Sequence, residues 1–338
     1  MAKVPMKAKT WNPPTAPARA RQSVSDTPVT LTVIPLPGRG PEDVVVDATG
    51  SGIVGLGDGR ILRVSSDGAD GAAIEQIADT QGRPLGIELA PSGELLVCDA
   101  RLGVLNVAPG TANVAGRVSS VVNQFAGRPL HFCNNASIAE DGSIYFTDSS
   151  QQFGIDNWRG EVLAHTGTGR LYRRSTDGAL DLLIDGLEFA NGVALAPDAS
   201  FVAVAETSAY RIRKLWLTGP REGLLDTLVD NLPGFPDNIS LGSDGLIWVA
   251  LPSARDRALD VMLPRSPLLR KAVWALPESL QPKPQRTVWV QAYDLNGNLV
   301  HDLQTSHPDL YMVTGVREVD GTVWLSSLVA SAIGVITL

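Results

Sequence analysis

The sequence predicts an all-β fold, a six-bladed β-propeller with four-stranded blades. Three observations carry this expectation. First, 33 glycines and 23 prolines against four methionines in 338 residues favour many short strands and turns over long helices. Second, one frame recurs, in which a glycine or small turn residue follows a fixed position by eight and is itself followed by an apolar strand. Third, the copies are spaced by 43 to 76 residues, the length of a propeller blade rather than of a helical repeat.

The frame runs from Glu42 to Gly50, Leu85 to Gly93, Asn134 to Gly142, Asn191 to Ala199, Asp237 to Gly245 and Val313 to Gly321. The strands that follow include Glu-Leu-Leu-Val-Cys98, Ser-Ile-Tyr-Phe-Thr147 and Leu-Ile-Trp-Val-Ala250. Residues 1–26 are rich in Pro, Ala, Arg and Lys without periodicity and are expected to form a disordered arm. The β-rich run 27–35 precedes the first repeat, so it is expected to complete the last blade and close the ring, leaving 27–338 as one propeller domain. Residues 149–169 are expected to be a loop with a helical turn. Residues 253–285 carry apolar residues at near-helical spacing between prolines, which predicts a short helical insertion between the strands of blades 5 and 6. An apolar lid over a pocket, a structural insertion, and a dimer or membrane-touching surface are all compatible with that pattern.

Composition bounds the function. The chain is 44% apolar and 19% charged, with ample material for a core. A formal charge of −8 speaks against a nucleic-acid surface, which needs clustered Lys and Arg. No apolar run has the length of a membrane span, and the basic N-terminus lacks the apolar centre of a secretory signal. Cys98 and Cys133 are expected to be free thiols, and a cytoplasmic location is expected.

The innermost strands of a propeller converge on a central channel. The six frame residues include four oxygen donors, Glu42, Asn134, Asn191 and Asp237, with Leu85 and Val313 apolar. Two carboxylates and two amide carbonyls suit a hard cation, Ca²⁺ ahead of Mg²⁺, Mn²⁺ or Zn²⁺, because no cysteine or histidine belongs to the set. Without a cation the two buried carboxylates would repel each other. His131, three residues before Asn134, is a candidate proton shuttle at the channel mouth. Asp99, Asp148 and Glu206 follow the second strands of blades, where a turn or interblade hydrogen-bonding role is expected. Ser149 and Ser150 lack nucleophile-elbow glycines, which leaves little for a serine-hydrolase reading.

Several runs carry a resemblance. They are Gly82-Arg-Pro-Leu-Gly-Ile, Asn134-Asn-Ala-Ser-Ile-Ala-Glu-Asp-Gly-Ser-Ile-Tyr-Phe-Thr-Asp-Ser-Ser150, Thr168-Gly-Arg-Leu-Tyr, Phe189-Ala-Asn-Gly-Val-Ala-Leu, Glu206-Thr, Leu215-Trp-Leu-Thr-Gly-Pro and Leu232-Pro-Gly-Phe-Pro-Asp-Asn-Ile. Over residues 30–338 the chain resembles the strictosidine-synthase-like family, which belongs with gluconolactonases, regucalcin-like proteins, paraoxonase and diisopropyl fluorophosphatase, all six-bladed propellers. The hydrolytic relatives hold calcium or another divalent ion in the channel. The resemblance places their ligands on Glu42, Asn134, Asn191 and Asp237, a further one on Asn238, and on Asn135, where those relatives often have Asp, either a contact that supports the ligands or a substrate contact. The condensing glutamate of strictosidine synthase falls on Thr314, so its amine–aldehyde condensation is not expected. What the resemblance implies is a metal-dependent hydrolase of a lactone or ester, with Asp237 as general base or nucleophile and a small-molecule substrate. A different reaction on the same scaffold, condensation or ring opening, and a non-catalytic calcium- or ligand-binding propeller stay open.

Overall fold

A computed structural model describes residues 4–24, 28–65, 72–111, 114–281 and 284–338. Six four-stranded antiparallel sheets make up the body of the molecule. In each, the strands follow one another outward from the channel, and the innermost strands of neighbouring blades touch around the ring. These inner strands are Val44–Val46, Pro84–Leu89, Cys133–Ile138, Ala190–Leu195, Ile239–Leu241 and Val313–Val319. The ring closes as expected: Leu31–Pro35 pairs antiparallel with Ala332–Thr337 as the outermost strand of blade 6. The first residue of the expected strand run, Thr27, lies outside the described residues.

The core of a propeller is divided, because each twisted sheet buries one face against the blade before it and the other against the blade after it. Six apolar clusters occupy the six seams. One is the seam of blades 4 and 5, with Phe201, Ala203, Ile239, Val249 and Trp289. Another seals blade 6 against blade 1 through Ile34, Val44, Val54, Leu62, Trp324 and Ile333. Strands buried on both faces therefore read as continuous apolar runs, such as Phe201–Glu206 and Ile247–Ala250.

Three helices stand over one end of the channel. Helix α1 (Trp158–Ala164) lies between the second and third strands of blade 3. Helices α2 (Arg257–Met262) and α3 (Pro267–Ala275) lie between the second and third strands of blade 5. The insertion is thus internal to blade 5, not placed between blades 5 and 6. A 76-residue interval between repeats does not reveal which of the four strands an insertion follows. Local chemistry starts both helices: the Asp256 carboxylate accepts from the Leu259 amide at 2.9 Å, and Ser266 caps α3 with Pro267 at its first position.

The N-terminal segment departs from expectation. Residues 4–24 are not a loose arm: residues 4–11 form a strap laid across the helices, and Thr15 and Arg19 reach on to Asn231 and Asp302. The strap's backbone is tied by Lys9 N–H to Ala164 O (2.8 Å) and Trp11 N–H to Leu263 O (3.1 Å). The Arg270 guanidinium, wholly buried, donates to Leu163 O at 2.6 Å and to Lys9 O at 2.5 Å, joining α3, α1 and the strap. Met6, Phe153, Leu163, Leu259, Leu263 and Trp274 form a separate apolar cluster there, with Trp11 packed against it. Low hydrophobicity predicted disorder; a few large side chains and backbone pairing with the helices supply the order instead.

Candidate metal and substrate site in the channel

In four blades the innermost strand bulges at its entry, between Pro84 and Ile87, Cys133 and Ala136, Ala190 and Val193, and Val313 and Gly315. Aligning the bulges, with the repeat frame serving for blades 1 and 5, gives the first ring of residues as Glu42, Leu85, Asn134, Asn191, Asp237 and Thr314. The sixth member is therefore Thr314 rather than Val313, whose side chain is buried in the seam of blades 5 and 6. The error has a physical source. Blade 6 turns on a two-residue Asp320-Gly321 hairpin, with both φ positive and Val319 opposite Thr322. In the other blades the glycine, or Ala199, stands one residue further into the turn, as where Gly142 N–H donates to Ala139 O, so counting eight back from Gly321 overshoots by one.

The residues that follow form a second ring, deeper by one step: Asp43, Gly86, Asn135, Gly192, Asn238 and Gly315. Polar side chains and glycines alternate around it. Each glycine makes room for the neighbouring blade: a Cβ on Gly86 would lie 2.6 Å from Asn135 Cα, and one on Gly192 2.1 Å from Ile239 N. The polar members bridge blades in turn. Asp43 Oδ2 accepts from Ile87 N–H (3.1 Å) and from Asn135 Nδ2 (3.2 Å), while Asn135 Oδ1 accepts from Val193 N–H (2.9 Å). Asn238 Nδ2 donates to Glu42 Oε2 at 3.1 Å.

Above these rings lies a cavity of about 1230 Å³ including its open mouth, and Glu42, Asn134, Asn191 and Asp237 stand together in its lining. Four of the expected ligands are thus brought together. Asn238 sits beneath Glu42 and does not line the cavity. Two further expected residues are not part of it. Asn135, expected to support the ligands or touch substrate, has both ends of its amide committed to blade-to-blade bonds. His131, expected to shuttle protons, points into solvent; its backbone N–H donates to Asp148 Oδ2. Proximity in sequence to Asn134 misled here, because the strand enters the channel only at Cys133.

The electrostatics of the floor are strained. Burial raises the Glu42 carboxyl well above the ordinary range, Asp237 and Asp43 push it further, and only Arg83 and the Asn238 amide oppose the rise. Burial likewise raises Asp237 to about 7, against the lowering effect of a hydrogen bond from Asn191. Asp43 is raised to about 6 by burial, with Arg317 as the main opposing charge. Three amide oxygens, Asn134 Oδ1, Asn191 Oδ1 and Asn238 Oδ1, are buried without a hydrogen-bond partner among the described residues. Their amide nitrogens explain the orientation in part: Asn191 Nδ2 donates to Thr207 Oγ1 (3.1 Å) and Asn238 Nδ2 to Glu42. Buried acceptors left unpaired beside carboxylates that resist ionisation are what a hard cation would satisfy. Among the described residues no three His, Cys, Asp or Glu side chains cluster for a metal, so the donor set rests on amides as much as on carboxylates. The residues present fit a divalent cation of the calcium type and not zinc.

The remaining acidic residues of interest are structural. Asp99 accepts from Thr80 Oγ1 and from the Arg101 and Leu102 amides, Asp148 from the His131 and Phe132 amides, and Glu206 from Glu188 N–H and Arg211 Nε. Each ends a second strand and holds the entry to an inner strand. Cys98 and Cys133 are free, buried and adjacent in the seam of blades 2 and 3. Ser150 donates to the buried Glu161 of α1, a bond that fixes the helix and leaves no activated nucleophile.

Comparison with known proteins agrees with this architecture. Residues 134–220 match the strictosidine synthase family, and residues 29–64 match the strictosidine synthase-like N-terminal region. Adipocyte plasma membrane-associated protein of Salmo salar is 36% identical over 244 residues, 69% of this chain, and the chain spans 58% of that relative's length. A gluconolactonase from Xanthomonas campestris has the same fold, with a TM-score of 0.65 at 16% identity over 100% of this chain and 98% of that one. A calcium-binding regucalcin from Agrobacterium tumefaciens is similar at a TM-score of 0.57 and 14% identity, over 90% of this chain and 96% of that one. Protein STRICTOSIDINE SYNTHASE-LIKE 10 of Arabidopsis thaliana is 35% identical over 330 residues, which cover 88% of this chain and 85% of that protein. On that match the chain belongs to the strictosidine synthase-like family.

Proposed function

We propose that the protein is a divalent-cation-dependent hydrolase of lactones or esters, with its site on the floor of the channel. The observation that carries this reading is the coincidence of three unpartnered buried amide oxygens with two carboxylates that burial holds back from ionising. Glu42, Asn134, Asn191 and Asp237 would hold the cation, with Asn238 beneath Glu42. When bound, a Ca²⁺-type ion supplies a Lewis acid for the scissile carbonyl and lowers the carboxyl pKa values of its ligands.

The chain's own groups do the rest. Asp237 takes the proton from the attacking water, the role of a carboxylate held within hydrogen-bond reach of it. The Asn191 side chain hydrogen-bonds Asp237 and holds its orientation, and Asn191 is itself fixed by Thr207, whose hydroxyl donates to Pro236 O at 2.7 Å. The apolar helices above the floor keep bulk water from the reacting carbonyl. A condensing acid has no counterpart: the Thr314 hydroxyl donates to Glu42 O at 2.7 Å and is committed to the fold.

Two measurements test the reading together. Elemental analysis should find about one divalent ion per chain, and Asp237→Asn should reduce lactone or aryl-ester kcat by at least about 100-fold. Full activity in Asp237→Asn, or activity unchanged after exhaustive chelation, refutes it.

A further inference from the structure

The position two residues before the first ring forms a third set, one step nearer the cavity mouth: Gly40, Arg83, Phe132, Phe189, Phe235 and Met312. Four of these, Phe132, Phe189, Phe235 and Met312, line the cavity directly above the oxygen donors. The other two have turned away to serve the fold. Arg83 is buried and donates to Gly40 O at 2.9 Å, and a Cβ on Gly40 would meet Leu328 O at 2.7 Å. The channel floor is therefore collared by apolar side chains. Above the collar, Trp158 and Val162 of α1 and Leu259 of α2 extend the same surface.

Two members of the collar are held in a conformation that their residue types disfavour. Phe189 has φ +62° and Met312 has φ +54°, the left-handed region in which a large side chain is rare. Glycine or asparagine would fit there without strain, and a ring or thioether aimed at the cavity is present instead. Such strain, where it faces a cavity, marks positions at which the side chain is needed for binding.

Several polar side chains of the wall, which also includes Arg159 and Gln285, are engaged within the fold. Thr207 Oγ1 donates to Pro236 O and accepts from Asn191. Ser253 Oγ donates to Ala254 O and accepts from Gln285 N–H. Arg255 is committed to Asn231, Asp260 and Pro14, and Asp256 caps α2. A polyhydroxylated substrate would lose water from the hydroxyls that face the collar without a replacement partner there. An alkyl or aryl group would gain the apolar collar.

We infer that the substrate carries its reactive carbonyl on an unhydroxylated alkyl or aryl body, with Phe132, Phe189, Phe235 and Met312 as the subsite that receives it. This rests on the hydrolase reading for the position of the carbonyl but not for the nature of the subsite. The test is a series of δ-lactones, δ-valerolactone through δ-decalactone, beside glucono-δ-lactone, on the calcium-loaded full chain. Specificity, as kcat/KM, should rise about 4-fold per added methylene until the collar is filled, and glucono-δ-lactone should be the poorest substrate. Phe189→Asn, in which asparagine tolerates the backbone conformation, should flatten the series, lowering kcat/KM for the longest lactone on the order of 10- to 100-fold and for δ-valerolactone far less. Glucono-δ-lactone turned over as well as δ-decalactone, or a series unaffected by Phe189→Asn, overturns the inference and leaves the hydrolase reading standing. If no lactone is hydrolysed, calorimetric binding of the same series decides. Affinity that climbs with chain length and is lost in Phe189→Asn supports the subsite and refutes the hydrolase reading, whereas no dependence on chain length overturns the subsite as well.

Discussion

Removing the cation with a chelator should leave a protein whose stability falls as pH rises from about 4 to about 7. The sign follows from the channel carboxylates. Their folded-state pKa values are raised, to about 6 for Asp43 and about 7 for Asp237, with Glu42 raised in the same direction. Ordinary carboxyls in the unfolded chain titrate near about 4. The folded state therefore binds more protons across this window, and stability present below about pH 4 is lost as each group is forced to ionise. For Asp43 the shift of about two units corresponds to about 3 kcal/mol at pH 7. In a chain of this length that is about 4 °C in Tm. Asp237 and Glu42 act as a coupled pair and add to the loss in the same direction. A bound divalent cation reverses the effect by favouring the ionised carboxylates, and protons displace it at low pH. Thermal unfolding followed by circular dichroism from pH 4.5 to 8, with calcium and with chelator, should give curves that meet near pH 4.5. They should diverge toward pH 8, with the calcium-loaded protein the more stable, because Glu42 and Asp237 ionise against burial only where no cation holds them. Parallel curves across the range, or a chelated protein that gains stability toward pH 8 faster than the loaded one, would refute the cation assignment.

Other consequences are as direct. Gly192→Ala places a methyl 2.1 Å from Ile239 N and 2.6 Å from Asn238 Cα; backbone cannot yield as a side chain can, so a loss of about 3 kcal/mol or more is expected in chemical denaturation. Arg270→Met keeps the volume and leaves Leu163 O and Lys9 O without their donor. This should cost about 2–4 kcal/mol of local stability, read as faster hydrogen exchange and proteolysis in residues 4–24 and α3 with the propeller strands unaffected. His131→Ala should leave turnover and its pH profile within about 2-fold of the parent, since the ring lies outside the cavity; a loss on the order of 100-fold would restore the proton-shuttle role.

How much of the site could be read beforehand depended on the kind of signal each residue left. Glu42, Asn134, Asn191 and Asp237 are polar residues at a strand entry in a repeating frame, and the channel collects them because every blade presents the same strand position to one axis. The alternating ring of Asp43, Gly86, Asn135, Gly192, Asn238 and Gly315 was present in the same frame, one position later. Its meaning appears only when neighbouring blades are side by side, with each glycine receiving the backbone of the next blade. Phe132, Phe189, Phe235 and Met312 read as ordinary core in the linear chain, because aromatic and aliphatic residues beside a strand are expected to be buried in a seam. Nothing local distinguishes a side chain that fills a seam from one that faces a cavity.

The amino-acid sequence by itself determined the β-propeller, its six blades, a closing strand within 27–35 and the oxygen-donor character of the channel. Repeat spacing and strand periodicity are local properties that survive without knowledge of contacts. The tertiary structure alone decided which strands of blade 5 the helices stand between, that residues 4–11 bind those helices, that Thr314 and not Val313 completes the ring, and that His131 faces solvent. Each of these turns on one residue of register or on a contact between segments far apart in the chain. A shift of one residue exchanges the two faces of a strand, and no periodicity records where a distant segment will be met.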